Sequence, residues 1–140
     1  MQWEANLIGY NASASYGSPS YYAQAMFGSH LGTEILPADL QNAGDHLFYS
    51  VTRDPAKGVL YLKLVNSSSA PESLHVTHGL QSVKSTAKLT VLTAGSTAAT
   101  NSITEPRSVV PRESTAKGIA KDFAHTIPGY TIEVMEISAK

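Results

Sequence analysis

Two apolar rows, rather than one, run through residues 46–66 (HLFYSVTRDPAKGVLYLKLVN), and this limits what the chain can fold into. Leu47, Tyr49 and Val51 alternate with Phe48, Ser50 and Thr52. Beyond a turn, Leu60, Leu62 and Leu64 alternate with Val59, Tyr61, Lys63 and Val65. A period of two on both sides of a turn specifies an antiparallel hairpin. Asp54-Pro55-Ala56-Lys57-Gly58 closes it: Pro55 presets its own φ, and Gly58 accepts the positive φ that such loops need. In a hairpin with one wet face the second row is polar. Here the second row is also largely apolar, which predicts cover on both faces.

Several further strands follow the hairpin or precede it. Thr33 to Leu36 is a short strand stopped by Pro37. Leu74 and Val76, flanked by His75 and Thr77, form another, ended by Gly79. Residues 86–93 (TAKLTVLT) alternate and are rich in β-branched side chains, and 122–127 and 130–137 (YTIEVMEI) read as the last two strands. Residues 94–102 are small and polar, a loop. Residues 103–112 hold two prolines, so only an edge or irregular strand is expected there. Ser18-Pro19 is a helix start, with Ser as N-cap and Pro at the first helical position. The helix is expected over residues 19–27, stopping near Gly28, with Tyr22, Ala25 and Met26 on one stripe. So short a helix is marginal alone and must dock on something. Residues 1–15 show no clean period. These elements predict a mainly β protein: an antiparallel, jelly-roll-like β-sandwich with one short N-terminal α-helix.

The bulk properties exclude little. A chain of 140 residues is long enough for one buried core. With a net charge of −1 and scattered lysines it presents no electrostatic case for nucleic acid. The absence of cysteine removes disulfides and thiolate metal sites. No stretch approaches the ~20 apolar residues of a membrane helix. The N-terminus shows neither the charged nor the apolar segment of a signal peptide. Asn11-Ala12-Ser13 and Asn66-Ser67-Ser68 are N-glycosylation sequons, which makes Asn11 and Asn66 possible glycan acceptors.

The residue types that carry chemistry are present without a convincing constellation. Of the five histidines, His75 and His78 lie closest, but residues three apart on a strand face opposite ways and no third ligand is evident. No metal and no cofactor is expected. Glycosidic chemistry needs two carboxyl groups flanking one bond. Glu133 alternates with Ile132 and Val134 and is expected to face solvent; Glu133 and Glu136 face apart; Glu34 and Asp39 straddle Pro37 in a loop. No serine sits in a Gly-x-Ser-x-Gly elbow, and there is no phosphate-binding glycine loop. Trp3, Tyr10, Tyr16, Tyr21 and Tyr22 crowd the first 22 residues. Such rings can serve as sugar-stacking platforms, or they can pack the helix onto the sheet.

Four long stretches resemble one family. Residues 3–37 (WEANLIGYNASASYGSPSYYAQAMFGSHLGTEILP) look like the end of the barrel in α-L-arabinofuranosidases of glycoside hydrolase family fifty-one, closest to fungal-type members. Residues 47–69, 90–111 (TVLTAGSTAATNSITEPRSVVP) and 125–137 (HTIPGYTIEVMEI) resemble that family's C-terminal sandwich, in the same order. The resemblance implies a (β/α)₈ barrel that hydrolyses terminal α-L-arabinofuranosyl groups of arabinan and arabinoxylan with retention, and a sandwich packed beside it. Residues 1–31 would be a remnant of the last barrel loop and helix, and residues 32–140 the C-terminal β-sandwich. The family's two catalytic glutamates belong to the fourth and seventh barrel strands, upstream of every matched stretch. No catalytic residue is therefore expected here, and the chain is expected to be inactive alone. Trp3 would border the substrate pocket only beside a complete barrel. The family further implies an extracellular enzyme. The missing barrel is the expected partner, with self-association through the barrel-facing surface and contact with arabino- or xylo-oligosaccharides as further expectations. The alternative is a free-standing carbohydrate-binding sandwich.

Overall fold

The computed structural model describes residues 7–140. Three layers are stacked. The middle layer is a six-stranded antiparallel sheet, made of β3 (Glu34–Ile35), β4 (Leu47–Asp54), β5 (Val59–Asn66), β10 (Thr131–Ser138), β7 (Thr86–Thr93) and β8 (Arg112–Lys117), in that spatial order. On one face lies a two-stranded sheet of β6 (Glu72–Thr77) and β9 (Asp122–Ile127). On the other lies the helix α1 (Pro19–Ser29). A small hairpin of β1 (Ile8–Tyr10) and β2 (Ser15–Gly17) leads into it.

The expected hairpin is β4–β5, in register from Leu47↔Asn66 to Asp54↔Val59. Its four-residue loop is held by Asp54, which accepts from the Lys57 backbone N–H at 3.2 Å and pairs with the Lys57 ammonium at 3.1 Å. Gly58 sits at φ 64, the conformation that only glycine takes without strain. Both faces of β5 are covered, as its two apolar rows require, whereas Phe48, Tyr49 and Ser50 of β4 stay exposed. Leu47, Leu60, Leu62 and Leu64 join Ala87, Met135 and Ile137 against Phe123 and Ile127 of β9. Burying each such side chain stabilises by roughly 1.5–3 kcal/mol. On the reverse face Tyr61, Val134 and Leu92 pack with Met26, and Tyr22, Ala23, Phe27 and Val59 surround them.

The helix is longer than expected. It passes through Gly28 to Ser29 and is capped by His30. Its start is as read: the Ser18 hydroxyl accepts from the Tyr21 N–H at 3.1 Å. Its buried stripe is Tyr22, Ala23, Met26 and Phe27, whereas Ala25 is exposed. The C-terminal end is closed by basic side chains. His30 Nδ1 lies 2.6 Å from the Met26 carbonyl, and Lys63 from β5 donates to the Phe27 carbonyl at 3.2 Å. The Lys63 ammonium belongs there, where unpaired carbonyls concentrate negative charge.

Glu133 overturns an expectation. It is 1% exposed and points between the two sheets, hydrogen-bonded to His125 of β9. The alternation around it is real, but β10 is buried on both faces, so alternation does not identify a wet side. Thr131, Glu133, Met135 and Ile137 form the inward row; Ile132 and Val134 face the helix. The strand β8 was also not foreseen, and neither was the β1–β2 hairpin.

Two predictions follow from these contacts. His46 Nε2 lies 2.7 Å from Glu72 Oε1 and links the start of β4 to β6. This hydrogen bond raises the His46 pKa above 6.5. The link therefore stabilises the fold fully below pH 6.5 and is lost as pH rises through the raised value. The Tm gap between the parent chain and His46→Gln should be widest near pH 6 and should close by pH 8. For the buried pair, Glu133→Ala should cost about 3 kcal/mol in chemical unfolding, because it strands His125. The double variant Glu133→Leu/His125→Phe should regain most of that loss.

Candidate functional site

Of the residues singled out from the sequence, Trp3 lies outside the described residues. Asn11 is exposed; its side-chain oxygen accepts from the N–H groups of Ser13 and Ala14, at 2.9 and 2.8 Å. Asn66 is 1% exposed. Its amide donates to the carbonyls of Ala70 at 2.8 Å and Pro128 at 3.1 Å, and its oxygen accepts from Ser68. Asn66 thus pins the end of β5 to the β9–β10 turn, and the nitrogen that a glycan would need is engaged inside the fold.

The histidines are dispersed into separate pairs. His30 meets Glu136 at 3.1 Å, His46 meets Glu72, and His125 meets Glu133. His75 lies 3.6 Å from Asp122, whereas His78 is buried beside Phe123 with neither ring nitrogen hydrogen-bonded. Among the described residues no three of His, Asp and Glu come together as metal ligands. Glu133 and Glu136 lie on opposite faces of β10 and cannot flank one glycosidic bond.

Two of the concave surfaces among the described residues lie at opposite ends of α1. The first is a groove on the outer face of the large sheet, beside the C-terminal end of α1. Phe27, Phe48, Tyr49, Ser50, Lys63 and Val65 line it, with a volume of about 290 Å³. Phe48 is 55% exposed there, where β4 has β5 on one side and the two-residue β3 does not reach it on the other. Lys63 stands under the Phe27 ring, 5.5 Å from its centroid. Burial without a carboxylate partner among the described residues holds its ammonium below the ordinary lysine value. The sequence signal for this groove was the second apolar row of the hairpin.

The second surface is a cleft at the other end of α1. Ser15, Tyr16, Tyr21 and Tyr22 form one side and Pro106 and Arg107 the other, with a volume of about 420 Å³. The tyrosines had been noticed in the sequence, whereas Arg107 had not. The two sides are about ninety residues apart in the chain, and no local pattern links them.

Comparison with known proteins fits this architecture. The sequence profile of the α-L-arabinofuranosidase C-terminal domain matches residues 1–131. The chain is 28% identical over 142 residues to α-L-arabinofuranosidase 1 of Arabidopsis thaliana, covering 97% of this chain and 21% of that protein. It is 31% identical over 116 residues to α-L-arabinofuranosidase 2 of the same plant, covering 81% of this chain and 17% of that protein. Among solved structures, the arabinose-bound MgGH51 α-L-arabinofuranosidase superposes with a TM-score of 0.90 at 32% identity, over 99% of this chain and 22% of that one. The chain thus spans about a fifth of the length of the relatives it matches. By its profile, its order of elements and its three-layered fold, the chain belongs to the α-L-arabinofuranosidase C-terminal domain family.

Proposed function

We propose that this domain braces the catalytic barrel of an α-L-arabinofuranosidase and takes no part in bond cleavage itself. The observation that carries the reading is the groove beside α1. A sheet face already half covered by a helix leaves Phe48 open beside Val65 next to that helix. Exposed apolar surface of this kind marks a place where another body packs. The larger enzyme would hydrolyse α-L-arabinofuranosyl groups of arabinan and arabinoxylan outside the cell. We assign residues 1–31 to the end of the barrel and 32–140 to the sandwich. On this reading α1 belongs to the barrel by sequence and to the sandwich by packing, and serves as the joint between them.

A domain exchange tests the bracing role. The chain replaces the corresponding segment of the MgGH51 enzyme. The chimera should fold and release nitrophenol from an arabinofuranoside, and Phe48→Glu should lower its Tm by several degrees. The isolated chain should self-associate in sedimentation, with Phe48→Glu shifting it towards monomer. An unaltered Tm together with a monomeric parent chain would remove the groove from the interface.

The same reading makes the chain a secretory substrate. Expressed through a eukaryotic secretory pathway, it should carry one glycan by intact-mass spectrometry, and Asn11→Gln should abolish it. Asn66→Gln should leave the glycan in place while lowering the yield of folded protein.

A further inference from the structure

The tyrosines near the start of the chain are only partly absorbed by the core. Tyr22 packs beneath α1 with Met26. Tyr16 and Tyr21 stay on the wall of the 420 Å³ cleft that they share with Ser15 and Arg107. Two glycines make room for the rings. Gly9 pairs with Tyr16 across β1–β2, and the Tyr16 ring lies so close over it that a Cβ would strike the ring. A Cβ on Gly17 would come within 2.6 Å of the Tyr21 ring and 3.1 Å of the Tyr22 ring. Tyr21 and Tyr22 meet edge to face, with centroids 5.2 Å apart. The three rings therefore lie against glycine backbone or against one another, and Tyr21 keeps 38% exposure.

The opposite wall is built with equal definition. It belongs to the connection between β7 and β8, residues 94–111, which contains no helix or strand. Connections this long without regular structure are uncommon and usually carry function. Two buried side chains tie this one down: Val109 in the core with Met26 and Leu92, and Asn101 through hydrogen bonds. Asn101, 2% exposed, donates to the Gly17 and Val109 carbonyls at 2.8 Å each and accepts from the Val109 N–H at 2.7 Å. The loop bearing Arg107 is thus bonded directly to the strand bearing Tyr16. Among the described residues Tyr49 is the one tyrosine whose hydroxyl is bonded within the fold, and Arg107 enters none of the ion pairs. No hydrogen bond or ion pair among the described residues engages the polar ends of Tyr16, Tyr21, Tyr22 or Arg107.

We propose that this cleft binds a saccharide chain. Ring faces of Tyr16 and Tyr21 suit the apolar C–H faces of sugars, while phenol hydroxyls, Ser15 and the Arg107 guanidinium suit their oxygens. Aromatic anchors lose little entropy on binding. The volume falls within the range of small-molecule sites. An apolar segment of a protein is better served by the Phe48 groove at the far end of α1. The assignment goes beyond the bracing role and does not depend on it.

The test is titration of the isotopically labelled chain with three probes: xylotetraose, arabinotetraose and a glucuronic-acid-substituted xylo-oligosaccharide. Amide shifts should move at Gly9, Ser15, Gly17 and Arg107, with affinity on the order of millimolar. Tyr21→Ala and Arg107→Ala should each weaken binding about tenfold. Both positions are exposed enough for the variants to fold, and unchanged shifts in β5 and β10 check this. Tighter binding of the acidic probe would show Arg107 reading a carboxylate. Equal binding would show it reading hydroxyls. The proposal is overturned if no probe moves those amides at about 10 mM, or if both variants bind as the parent does.

Discussion

Burial of one strand pair on both faces is the constraint on which the rest of the structure depends. The pair is β5 and β10, joined in eight-residue register at the middle of the large sheet. One face of the pair meets β6 and β9, the other α1. Removing either cover would expose apolar side chains of the central strands together with the buried polar groups set among them. The two-stranded sheet and the helix are therefore both requirements of the same pair. The polar groups that do enter this region are paired: Glu133 with His125 on one side, Lys63 with the end of α1 on the other.

The fold was legible where local pattern and burial agree. The β4–β5 hairpin and β7 announce themselves by alternation, and Ser18-Pro19 marks the helix start. The edge strand β8 did not, because RESTAK is polar nearly throughout. It is a strand through backbone pairing with β7, which leaves no mark on side-chain identity. The β1–β2 hairpin is three residues on each side, too short for a period to show. Glu133 was misread for a more instructive reason. Alternation reports two faces, and one must be wet for polarity to tell them apart. In β10 neither is.

The candidate surfaces divide in the same way. The groove beside Phe48 was foreshadowed by the hairpin's second apolar row, since that row had to meet something. The tyrosine cleft was half visible: a crowd of rings in the first residues, with nothing to say what faced them. Arg107 reaches the rings because Asn101 anchors the long β7–β8 connection to β2. A hydrogen bond between residues far apart in sequence cannot be read from either neighbourhood. Asn66 has a similar history, since a short local motif suggested a surface role and three-dimensional context made it an internal pin.

The central position of β10 also bears on the order in which the fold can form. It is the last strand of the chain, yet it sits between β5 and β7. Its pairing joins Val59 to Ser138 and Asn66 to Thr131 across most of the sandwich sequence. Until it arrives, the β4–β5 and β7–β8 ribbons have no common partner, and the large core has a gap at its middle. Closing so long a loop costs entropy before any contact repays it, and folds dominated by distant pairings form slowly. On a ribosome, the two ribbons would emerge first and wait with their apolar rows open. The helix could not settle either, because Val134, which it covers, belongs to the same late strand. The whole architecture would then close in one step, when the final strand slides between two waiting halves.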